Sequence, residues 1–128
     1  MNYYITKISD SSYEDLLEKI PVELKKEGFG VLTEIDVKET LKKKIDVDFR
    51  KYKILGACNP PFAYKALSAE DKLGVMLPCN IIVQEKEDGK VEVSAINPMV
   101  SMQSVNNPEL LPIAEQVSSA LQRVIEQL

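Results

Sequence analysis

Residues 77–86 and 90–97 are two strand-like runs joined by Glu87-Asp88-Gly89, and that join constrains the fold more than any other part of the chain. A two-residue Asp88-Gly89 loop would set Val83 opposite Ser94 and Gln84 opposite Val93, mixing polar with apolar on both faces. A three-residue loop with Gly89 left-handed sets Val83 opposite Val93 and Ile81 opposite Ala95. Only the second keeps one face apolar, because side chains alternate with period two and a one-residue slip turns every one of them over. The left-handed position suits glycine, which has no Cβ to clash. A hairpin with one apolar face is marginal alone and must be covered by a second layer. The same register sets Cys79 opposite Asn97 on the covered face.

The rest of the chain supplies that layer and three more strands. Residues 2–8 are aromatic and β-branched and read as a first strand. Ser11 with Glu14 fits a capping box, and Tyr13, Leu16, Leu17, Ile20 and Leu24 follow as one helical stripe ending at Gly28. Pro21 interrupts the stripe and predicts a kink or two short segments, since proline lacks the N–H and clashes one turn back. In residues 29–37, Phe29, Val31, Thr33, Ile35 and Val37 alternate with Gly30, Leu32, Glu34 and Asp36, the pattern of a half-buried strand.

Asp36 with Glu39 caps a short helix to about residue 45, and residues 52–58 form the third strand. Asn59-Pro60-Pro61 opens another short helix, to about residue 67. Ser68 with Asp71 suggests a further turn before Gly74. Residues 97–107 read as a loop. A final helix starts at residue 108 or 111 and runs to 128, with Leu110, Ala114, Val117, Leu121, Val124 and Leu128 as its stripe, widened by Ile113, Ala120 and Ile125.

These elements predict one α+β domain over residues 1–128: a single, mostly antiparallel five-stranded sheet with two main helices on one face. The other face would carry Tyr4, Leu32, Leu55, Ile82, Gln84, Ser94 and Ile96. That is too apolar for water and predicts a partner surface, most simply a symmetric homodimer.

The formal net charge of −4 excludes a broad nucleic-acid interface or a polybasic membrane anchor, which need a basic face. No apolar stretch approaches the roughly 20 residues that span a bilayer, and residues 1–7 lack the pattern of a signal peptide. The expected compartment is the cytoplasm, where two cysteines are normally free thiols.

Three stretches carry a family resemblance. They are residues 28–37 (GFGVLTEIDV), residues 52–61 (YKILGACNPP) followed by Ala63 and Ala66-Leu67, and Leu77-Pro78-Cys79-Asn80. Together they resemble the domain of unknown function 302 family, over nearly the whole chain. The resemblance implies a single α+β domain with a TATA-binding-protein-like curved sheet, usually a homodimer. It implies neither DNA binding nor a reaction, because a fold name carries no function.

Chemistry is hinted at in one place. Cys58-Asn59 and Cys79-Asn80 lie 21 positions apart, each where an apolar run meets a turn. If the third and fourth strands pair antiparallel, both cysteines reach the same end of the sheet. Cys58 also precedes a helix start, where the positive end of the dipole favours a thiolate. With Asn59, Pro60, Asn80 and Asn97 these residues are the candidate ligand-binding set, and the asparagines suit a small neutral ligand. The bland readings are buried small hydrophobes for the cysteines and caps and turns for Asn59 and Asn97.

With no histidine, the usual catalytic triads and a four-ligand zinc site are unavailable. Met99 and Met102 near Cys79 are the one hint of soft-metal ligation, with packing as the bland reading. No metal site, cofactor or catalytic residue is assigned. The basic cluster Lys42-Lys43-Lys44 with Arg50, Lys51 and Lys53 reads as a solvated helix face. The leading expectation is a cytoplasmic homodimeric module binding a small ligand near Cys58 and Cys79. The alternative is a thiol-based redox protein or enzyme using Cys58 as thiolate.

Overall fold

The computed structural model describes residues 1–128. In chain order the elements are β1 (Tyr4–Ser9), α1 (Tyr13–Lys26), β2 (Gly30–Asp36), α2 (Val37–Ile45), β3 (Tyr52–Cys58), α3 (Pro60–Ala69), β4 (Cys79–Glu85), β5 (Val91–Ile96), α4 (Pro98–Ser101) and α5 (Leu111–Glu126). The five strands form one sheet in the order β1-β5-β4-β3-β2, with every neighbouring pair antiparallel. Helices α1 and α5 pack beside each other over one face, and α3 packs against α5. The main core lies between, and Leu16, Ile20, Ile81, Val83, Val93 and Leu121 are fully buried there.

The β4–β5 hairpin has the three-residue loop. Val83 pairs with Val93 and Ile81 with Ala95. Gly89 is left-handed at φ +83°, and its N–H bonds Lys86 O at 2.9 Å. Asp88 Oδ1 accepts from Lys90 N at 3.0 Å, closing the turn. The register places Ile81, Val83, Val93 and Ala95 under the helices, as the alternation requires.

Five local expectations are corrected. Leu55 does not belong to the open face. It pairs with Ile81, is 3% exposed and faces the helices together with Ala57. Tyr52, Ile54 and Gly56 therefore face the other way. Strand β2 does not alternate strictly. A bulge at Leu32 leaves Val31 opposite Ala57 but Thr33 opposite Gly56. The extra residue reverses the faces, so Val31 packs on the core while Thr33 and Ile35 lie on the open side.

Helix α1 is capped by Ser12, not Ser11. Ser12 Oγ accepts from Asp15 N at 3.1 Å, while Glu14 pairs with Lys51 at 2.7 Å. The helix runs unbroken through Pro21, which is exposed between fully buried Ile20 and Leu24. Anchoring on both sides outweighs the missing hydrogen bond. Residues 97–107 are not an irregular loop. Asn97 caps α4, and two single turns of 3₁₀ helix follow (Gln103–Val105 and Pro108–Leu110).

Helix α2 buries none of its residues, and Lys42 bonds Asp46 at 2.9 Å and Asp48 at 3.2 Å. Lys42, Lys43 and Lys44 thus form a solvated helix face, whereas Arg50, Lys51 and Lys53 bond Gln84, Glu14 and Glu34. Across the sheet, the open face carries Tyr4, Ile8, Ile35, Ile54, Ile82 and Ile96 around a polar strip of Thr6, Ser94, Gln84 and Glu92. Thr6 and Ser94 share a hydrogen bond of 2.8 Å. Arg50 lies over the Phe49 ring at 4.4 Å and donates to Gln84 Oε1 at 2.9 Å. No helix is long and apolar enough to cross a membrane.

Candidate functional site

Strand β3 ends where β4 begins, and α3 leaves the sheet at that point. Ala57 is the cross-strand partner of Cys79, so Cys58 stands one residue further along. Two small residues on the inner side of α3, Ala63 and Ala66, leave space between this sheet end and α5. The result is a cavity of about 240 Å³, open on one side. Ala57, Cys58 and Cys79 form its sheet wall, Phe62 and Ala66 its α3 wall, and Ile113 and Val117 its α5 wall. Of 15 lining residues 13 are hydrophobic, which makes the site an apolar one.

The structure divides the six candidate residues. Cys58, Asn59 and Cys79 line the cavity; Pro60, Asn80 and Asn97 do not. Asn80 lies in the row of the open face, opposite Gly56, because it neighbours inward-facing Cys79 and Ile81 in β4. Pro60 is exposed at the first position of α3. Asn97 is consumed by local structure. Its Oδ1 accepts from Met99 N and Ser118 Oγ, each at 3.1 Å, and its Nδ2 donates to Asn2 O at 3.2 Å. The asparagine-lined polar pocket expected at this end is therefore replaced by an apolar one.

Asn59 touches the cavity, but its amide oxygen and nitrogen each already bond the backbone. Its Oδ1 accepts from Phe62 N at 3.3 Å, and its Nδ2 donates to Glu27 O at 3.2 Å. The side chain thus caps α3 and ties it to the turn after α1, where Gly28 is left-handed at φ +83°. A Cβ at Gly28 would meet Asn59 Nδ2 at 3.0 Å, so the glycine also makes room for the clasp.

Both thiols are free and part-buried. Burial pushes the Cys79 thiol up to about 11, with the neighbouring Cys58 adding to the rise. The dipole argument for a Cys58 thiolate meets an obstacle in the same helix. A helix N-terminus stabilises an anion through unpaired N–H groups. Here the first two positions are Pro60 and Pro61, which have none. The next two N–H groups bond Asn59 Oδ1 and, at 2.9 Å, Asn59 O. No donor is left over for sulfur.

Sequence reasoning missed most of the wall. Ala63 and Ala66 carry a readable signal, since small residues at i, i+3 on a helix mark a close approach or a void. Met102, Ile113 and Val117 reach the cavity only through the turns after β5.

Comparison with known proteins places these features in a context. The family described as "Domain of unknown function DUF302" matches residues 5–128. An uncharacterized protein of Aquifex aeolicus (strain VF5) is 33% identical over 94 residues, covering 73% of this chain and 59% of that protein. This chain thus spans about three-fifths of that relative's length. The crystal structure of an uncharacterized conserved protein DUF302 from Bacillus stearothermophilus superposes with a TM-score of 0.93 at 28% identity. The match covers 99% of this chain and 98% of that one.

Proposed function

We propose that this chain, which belongs to the DUF302 family, is a cytoplasmic binding module that holds a small apolar ligand in the cavity at the β3–β4 end of its sheet. The observation that carries the reading is the lining: 13 hydrophobic residues of 15, and one polar side chain whose amide oxygen and nitrogen each already have a protein partner. An apolar lining of this kind favours hydrocarbon over water. At about 240 Å³ it exceeds the roughly 150 Å³ engineered cavity that binds benzene. It falls short of the roughly 300–1,000 Å³ of drug-sized sites. Binding is favoured over thiol catalysis because burial holds the Cys79 proton on and α3 offers Cys58 no donor. The cytoplasmic assignment rests on the two free cysteines.

NMR titration of the protein with naphthalene tests the ligand class. Saturable shifts are expected at Ala57, Phe62, Ala66 and Cys79, and they should vanish when Ala66→Phe fills the space. Shifts that never saturate, or that survive the filling, would sink the reading.

We further propose that two copies pair through the open sheet face. Tyr4, Ile8 and Ile35 are exposed there beside Ile54, Ile82 and Ile96, a row apolar enough for a self-complementary contact. Light scattering at micromolar concentration should give twice the chain mass, and Ile82→Lys should halve it. A natural chain that is monomeric at that concentration overturns the pairing.

A further inference from the structure

Two residues that line the cavity also face water: Leu32 is 68% exposed and Leu67 39%. They mark its mouth. Leu32 is there because of the bulge in β2, which leaves it without a partner in β3 and re-aims its side chain. Leu67 is there because Phe62, Ala63, Ala66 and Leu67 share one face of α3, and that face runs from buried Ala66 out to the surface. The apolar wall thus continues out of the cavity, and no charged residue interrupts it. We infer that the occupant is the end of one linear aliphatic chain, part of an amphiphile taken up from water, whose polar head stays outside the mouth. The inference rests on the apolar-ligand reading and names the ligand class for it.

Three observations select a chain end. The first is polarity. No Asp, Glu, Lys or Arg lines the cavity, and both polar atoms of the Asn59 side chain already have partners. A head group drawn inside would lose water and gain no hydrogen bond, which is strongly unfavourable. The second is size. Since a cavity of roughly 150 Å³ takes the six carbons of benzene, one of about 240 Å³ takes about nine. That is a chain end and not a whole lipid. The third is the mouth. A compact hydrocarbon held wholly inside would leave Leu32 and Leu67 in water, whereas a chain that runs out over them covers both.

The test is NMR titration with n-alkyl maltosides from hexyl to dodecyl, each below its micelle concentration. The disaccharide is too large and too polar to enter, so only the alkyl chain can. Affinity should rise about fourfold per added methylene and level off near nonyl. Shifts should saturate at Ala57, Phe62 and Ala66, and Ala66→Phe should abolish them. Leu32→Ser alters an exposed side chain and leaves the core intact. It should weaken decyl maltoside at least about threefold and leave naphthalene unchanged. The chain should not float with phosphatidylcholine vesicles.

Naphthalene binding without saturable maltoside binding would refute the chain end and leave the apolar-ligand reading standing. Affinity independent of chain length, or unchanged by Leu32→Ser, would do the same. Flotation with vesicles that Ala66→Phe abolishes would assign the chain to a bilayer lipid and overturn the free amphiphile. Failure of both naphthalene and the maltosides would sink the reading and the inference together.

Discussion

Gly56 in β3 lies against Pro78 of the cavity wall, and replacing it with alanine tests the geometry directly. A Cβ built there would overlap Thr33 Oγ1 and lie 2.6 Å from Pro78 Cγ, where real contacts stay beyond 3.0 Å. Thr33 can rotate. Pro78 cannot, because its ring is part of the backbone entering β4. Overpacking of this kind costs roughly 1–3 kcal/mol. Alanine also restricts the unfolded chain, which returns about 0.4–1 kcal/mol. Taking the middle of each range, the net loss is roughly 1–2 kcal/mol.

For a chain of 128 residues, an unfolding entropy of about 2.1 cal/mol/K per residue gives about 270 cal/mol/K. The melting temperature should therefore fall by roughly 4–8 °C. Thermal denaturation by circular dichroism, run on the natural chain, Gly56→Ala, Thr33→Ala and the double variant, reads it. Removing Thr33 Oγ1 should recover part of the loss, with a coupling of at least about 0.5 kcal/mol. If Gly56→Ala melts at or above the natural chain, or if the two changes are additive, the tight β2–β3–Pro78 packing is wrong.

Other outcomes follow from the same contacts. Asn59→Ala should cost about 1–2 kcal/mol in urea denaturation, because it removes the α3 cap and strands Glu27 O. Pro21→Ala should raise stability by about 1–2 kcal/mol, since it restores an exposed mid-helix hydrogen bond with no core contact to lose. Leu16→Ala, fully buried, should cost roughly 2–5 kcal/mol in the same assay. Cys79 holds its proton more tightly folded than unfolded, so its contribution is intact below pH 9 and is lost as pH rises toward about 11. Unfolding free energy measured across that window should fall less steeply in Cys79→Ala than in the natural chain.

The contrast between the hairpin and β3 shows what a one-dimensional pattern can carry. Residues 81–95 alternate and enclose a turn that wants a left-handed glycine, so register and face are both readable. Ile54-Leu55-Gly56-Ala57-Cys58 is apolar throughout, so its alternation names no face. Pairing with β4 decides it, and Leu55 goes inward. The Leu32 bulge has no local signal either, because an extra residue shows only against a partner strand.

The site divides along the same line. That Cys58 and Cys79 share a sheet end follows from antiparallel pairing of two recognisable strands. That Asn59 caps a helix follows from its place before two prolines. The cavity itself is a void between elements, and a void has no residue of its own to be read. Its apolar character, the exclusion of Asn80 and Asn97, and the arrival of Met102 depend on how α3, α4 and α5 stack.

Strand and helix identities, most caps and the hairpin register are set by neighbours within a few positions, through backbone preference and period. Which side an apolar run faces, how a proline is tolerated in α1 and what lines the cavity are set by contacts between residues tens of positions apart. Those contacts exist only once the layers have packed.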